Sequence, residues 1–88
     1  MSSSIQAYHG VLIWSSGEPY AVVHGLRYLI MYDPPSSGAF QRGAVRAAAT
    51  HYSDKPNGSA VSITAGFVQE HDVDGTGNVK KVLHVLRF

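Results

Sequence analysis

Two stretches of this chain, Ile5 to Trp14 and Tyr20 to Tyr32, are apolar at both odd and even positions. Successive side chains of a strand point to opposite faces. In the first stretch Ile5, Ala7, His9, Val11 and Ile13 share one side, and Gln6, Tyr8, Gly10, Leu12 and Trp14 share the other. In the second, Tyr20, Val22, His24, Leu26, Tyr28, Ile30 and Tyr32 oppose Ala21, Val23, Gly25, Arg27, Leu29 and Met31. A sheet with one wet face alternates apolar with polar residues. These runs do not alternate, so both faces of the sheet they build need cover.

The rest of the chain offers limited cover. Ala60 to Val73 alternates Val61, Ile63, Ala65 and Phe67 against Ser62, Thr64 and Gly66, and Val79 to Phe88 is a further strand-like run. Between them and the first pair lies Ala39 to Tyr52, where Ala44, Ala47, Ala48 and Ala49 favour helix. Phe40, Ala44, Ala47, Ala48 and His51 fall on one helical face. Ser36 or Ser37 is placed to cap the helix start, and Pro56, Asn57 and Gly58 follow its end. Turn-forming residues cluster at Ser15 to Pro19, Asp33 to Gly38 and Asp74 to Asn78. The expected fold is α+β in the order ββαββ, with strands over 5–14, 20–32, 60–73 and 79–88 and a helix over 39–52. The expected architecture is a four-stranded, mainly antiparallel sheet with the helix on one face.

Eighty-eight residues make one domain. There is no cysteine, so neither disulfides nor thiolate metal sites supplement the core. Net charge is +1, from seven basic and six acidic residues. Such a balance gives no strong field for nucleic acid or anionic membrane. Met1-Ser2-Ser3-Ser4 lacks the basic start and apolar run of a signal peptide, and the longest unbroken apolar stretch is Tyr28 to Tyr32. Spanning a bilayer takes roughly 20 such residues. The expectation is a cytoplasmic protein without a membrane span.

One helix covers one sheet face, so the other is expected to present a large apolar patch, which small monomers rarely leave in water. The expected resolution is a partner, either a second copy or another protein. The contact residues would be Tyr8, Leu12, Trp14, Tyr28 and Tyr32, since aromatics are enriched at interface cores. Arg42 and Arg46 would be the polar complement. Curling of the sheet, or the loop through Pro34 and Pro35, would instead cover that face within one chain. The function expected is a small interaction or regulatory domain, for instance an inhibitor, with no cofactor.

Two other classes stay open. If Trp14 faces Pro19 across the first turn, His9 lies opposite His24 with Cβ atoms about 5 Å apart. That spacing suits two ligands of one metal, with His71, His84 or Asp72 as a third. A dimer could also place one of these histidines in a catalytic pocket at its seam. Glu70-His71-Asp72 does not build a triad, because on a strand the carboxylates face away from His71. No G-x-S-x-G elbow is present. Asp72-Val73-Asp74-Gly75 opens like a calcium loop, but the twelfth position holds Leu83 instead of glutamate, so it reads as a hairpin turn. Nucleic-acid binding would rely on Arg42, Arg46, Lys80, Lys81 and Arg87.

Overall fold

The computed structural model describes residues 5–32, 34 and 38–88. Its elements run β1 (Gln6–Ser15), β2 (Glu18–Val23), β3 (Leu26–Tyr32), α1 (Arg42–His51), β4 (Ala60–Asp72) and β5 (Val79–Arg87). The possible caps Ser36 and Ser37 lie outside the described residues, as do Asp33, Pro35 and Met1 to Ser4. Among the described residues, no helix is long and apolar enough to cross a membrane.

The expected four-stranded sheet is overturned at His24-Gly25. The run from Tyr20 to Tyr32 is a hairpin of two strands, not one. His24 has φ 52° and Gly25 φ 77°, as Ser16 and Gly17 do in the turn before it. Two successive residues at positive φ twist a two-residue hairpin to match its strands. Glycine adopts that backbone freely, and histidine is among the few other residues that visit it. The ladder then pairs Val23 with Leu26 and Tyr20 with Leu29.

The order is therefore βββαββ, and the five strands close into a barrel in the order β1-β2-β3-β5-β4, mixed because one of its pairings is parallel. β3 runs parallel to β5, from Leu29 beside Val82 to Tyr32 beside Val85. β1 joins the two ends of the sheet. Its second half pairs with β2, from Val11 opposite Val22 to Ser15 opposite Glu18. Its first half pairs with β4, from Gln6 opposite Ala65 to Val11 opposite Ala60. Gly10 sits just before this change of partner. A Cβ there would run into the Val22 carbonyl oxygen, so only glycine lets the strands approach this closely. β4 bends around the barrel through register shifts between Thr64 and Phe67.

Closure explains the doubly apolar strands. One side of each faces the barrel interior, where Leu12, Ala21, Val23, Ile30, Ile63, Leu83 and Val85 form the core. On the outside, Tyr20, Leu29, Met31 and Val82 are covered by Ala44 and Val45 of α1 and by Val73 from the β4–β5 turn. The helix buries Ala44, Val45 and Ala48, and leaves Ala47 and His51 of the expected face exposed. The expected face is therefore rotated towards Val45. Farther along, Ala48 and Tyr52 join the interior cluster. One face of the sheet is thus the barrel interior and the helix covers the outside over β2 and β3, while Val11 of β1 and the neighbouring Ile5 stay exposed.

Candidate functional site at the barrel mouth

The residues singled out in the sequence separate into three groups. Leu12 and Trp14 are parts of the scaffold. Leu12 is fully buried in the barrel interior. The Trp14 indole Nε1 donates to the Lys55 carbonyl at 2.7 Å, and the Trp14 amide donates to Asn57 Oδ1 at 2.7 Å. Both bonds pin the segment between α1 and β4 to β1. Arg42 is a clasp as well. It pairs with Glu18 and donates from Nη2 to the Val73 carbonyl at 2.8 Å, tying the helix start to two hairpins. Arg46 is exposed on the helix and has no ion pair among the described residues.

Tyr32 belongs to a broad, shallow concavity of about 620 Å³, lined also by Ala47, Thr50, His51 and Phe88. Phe88 stacks on His51 with ring centres 3.8 Å apart and lies 4.9 Å from the Tyr32 ring. The ring faces here are largely spent on one another.

The third group converges. Tyr8, His9, His24 and Tyr28, placed on β1, the β2–β3 turn and β3, line a single concavity of about 410 Å³ with Gln6, Ala7, Val23 and Leu26. The Tyr8 and Tyr28 rings stand 6.1 Å apart at 60° to each other, forming a wedge. Burial, with the neighbouring Tyr28, raises the Tyr8 phenol above its ordinary value, so it remains a donor at neutral pH. Leu26 at the rim is 49% exposed, and Ile5, next to Gln6, is 55% exposed.

The register between Val11 and Trp14 is the one that would set His9 against His24. The pairing is cut short by the change of partner at Gly10, and His9 faces Ser62 on β4 instead. Its Nδ1 lies 3.1 Å from Ser62 Oγ. Both atoms are at the exposed surface, and no carboxylate among the described residues holds the imidazole, so this contact lacks the third member of a triad. Among the described residues, no group of three or more His, Asp or Glu is arranged to hold a metal ion.

A second histidine pair escaped the sequence reading. His71 Nε2 and His84 Nε2 are 2.9 Å apart, and their ring centres are 5.1 Å apart. The rings therefore meet tip to tip, the geometry of one N–H pointing at one lone pair rather than of two lone pairs converging on an ion. His84 is fully buried, with Phe67 stacked 4.1 Å from it. Burial, and then the nearby His71, lowers its pKa from 6.5 to about 4. The signal was a histidine inside the apolar run Val82-Leu83-His84-Val85-Leu86. The β4–β5 turn keeps its carboxylates for itself. Asp72 accepts from the Gly75 and Gly77 amides, and Asp74 from the Thr76 amide and hydroxyl.

No family model, curated protein or solved structure matches the chain.

Proposed function

We propose that this chain is a binding domain whose contact site is the mouth of the barrel, and that its partner is a protein that inserts a side chain there. One observation carries the reading: closure of the barrel gathers Tyr8, His9, His24 and Tyr28 around one concavity. Aromatic walls with a few convergent polar groups are the usual make-up of a recognition pocket. Leu26, half exposed at the rim, carries the apolar lining of the cavity out to the surface. A surface that extends past its pocket suits a projecting part of a larger molecule. The interaction role expected from the sequence therefore moves from a sheet face to a barrel end. A second copy of the chain, as a homodimer, is one form such a partner could take.

The test is to pan a displayed peptide library against the full chain and map the enriched peptides by amide chemical shifts. Shifts should centre on Tyr8, His9, His24 and Tyr28. Leu26→Glu should abolish binding and leave the melting temperature unchanged, since the side chain is half exposed. Shifts centred elsewhere would overturn the assignment.

A different observation favours a second reading, nucleic-acid binding. Arg27 and Lys80 flank the Tyr20 ring at 5.6 and 5.4 Å, and neither has a carboxylate partner among the described residues. Five-stranded Greek-key barrels are one architecture on which single strands bind. Fold alone does not carry function. Two phosphate contacts would give a log–log salt slope of about −1.4 with single-stranded DNA. A slope near zero removes this reading.

A further inference from the structure

β1 outruns the strand beside it. Its pairing with β2 runs from Ser15 back to Val11, and β2 ends at Val23. Gln6 to His9 continue past the hairpin end with β4 on one side. On their other side, no strand or loop among the described residues pairs with their backbone. A strand held from one side turns the N–H and C=O of alternate residues outward, at a repeat of two. The far half of β1 is treated differently. Where β4 stops, the loop before it takes over: the Leu12 amide donates to the Ser59 carbonyl, and the Gly58 amide donates to the Leu12 carbonyl, both at 2.8 Å. One half of β1 is thus closed on both edges, and Gln6 to His9 on one.

That bare edge borders the mouth. Gln6, Ala7, Tyr8 and His9 form one wall of the concavity, and Val23, His24, Leu26 and Tyr28 of the hairpin end form the other. We infer that the partner enters as an extended segment of another protein, adding a strand to β1 along Gln6 to His9. A helix satisfies its own backbone and has nothing to give an unpaired edge. An extended segment offers donors and acceptors at the same repeat. Its alternate side chains point to the Tyr8 side, into the tyrosine wedge. In strand addition the main-chain bonds give affinity and the pocket gives specificity. In a second copy, Tyr8 of β1 already lines its own mouth, so the added strand comes from a different chain. This inference rests on the mouth being the binding site.

The panning experiment extends to test it. An enriched peptide is rebuilt with one N-methyl amide at each position in turn, which removes a backbone donor and leaves the barrel unaltered. Binding should weaken about tenfold or more at alternate positions, the scale of a lost hydrogen bond, and little between them. Amide exchange at alternate residues of Gln6 to His9 should slow when the unmodified peptide binds. Shifts centred on the mouth together with this period-two pattern support both claims. Shifts centred on the mouth with no period-two pattern overturn the added strand and leave the site standing. Shifts elsewhere, or no enrichment, remove both. Protection of Gln6 to His9 that rises with protein concentration in the absence of peptide would put a second copy on the edge and overturn the assignment to another protein.

Discussion

The two histidine pairs of this barrel differ in surroundings more than in chemistry. His9 and His24 stand at the open end, both exposed, one against Ser62 and the other on a turn. His71 and His84 meet tip to tip on the outside of β4 and β5, with His84 sealed beneath Phe67. An exposed imidazole keeps its hydration and stays open to a ligand. A sealed one is held neutral, because charging it in a dry site costs solvation. Histidine content therefore says little about function until burial is known. The open pair is available for recognition, and the sealed pair is part of the packing.

The largest expected effect tests the sealed pair. His84→Ala removes a fully buried ring, its stack on Phe67 and its bond to His71. The cost should be about 3 kcal/mol, in the range for large-to-small core changes. His9→Ala, at an exposed position, should change stability by less than about 0.5 kcal/mol. Urea titration of both variants measures the contrast. Similar losses for the two would show that the pairs are not differently embedded.

The next effect is acid sensitivity. Folding lowers the His84 pKa from 6.5 to about 4, so the folded state prefers the neutral ring. The unfolded chain then binds more protons within that interval. The stabilisation is complete above pH 6.5 and is lost as the pH falls through 6.5 towards 4. The full displacement corresponds to roughly 3 kcal/mol. His84→Leu fills the site without a titrating group, and its stability should fall less between pH 6.5 and 4 than that of the parent. An unchanged slope in this variant would place the acid sensitivity elsewhere.

Much of the scaffold was legible because it follows from local rules. The Ser16-Gly17 turn, the register from Trp14 opposite Pro19 and the separate runs of β4 and β5 can all be read from short-range pattern. The closure could not be read that way. The strand that completes the barrel against Gln6 to Val11 starts at Ala60, a pairing between distant parts of the chain with no local signature. That pairing also decides the site. Tyr8 and Tyr28 stood out as parts of an apolar stripe, and His9 and His24 as a metal pair, for separate reasons. Only the handover of β1 from β2 to β4 brings all four to one concavity. His84 was hidden for the opposite reason: its neighbours in sequence are apolar, and so is its environment.

The smallest expected effect concerns the β2–β3 turn, and it sharpens the contrast within the open pair. His24 holds φ at 52°, in the left-handed region. A residue with a Cβ is strained there by roughly 1 kcal/mol, and glycine is not. His24→Gly also frees the unfolded chain, which returns part of that gain. The net expectation is a stabilisation of about 0.5 kcal/mol or less, read as a small rise in melting temperature. Asn, which also tolerates this backbone, should be close to neutral. The same His24→Gly chain would lose one donor at the mouth. More stability with weaker peptide binding would mean that the turn holds a strained histidine because the site needs an imidazole there. A His24→Gly chain that is both more stable and equally able to bind would leave His9 as the imidazole that matters.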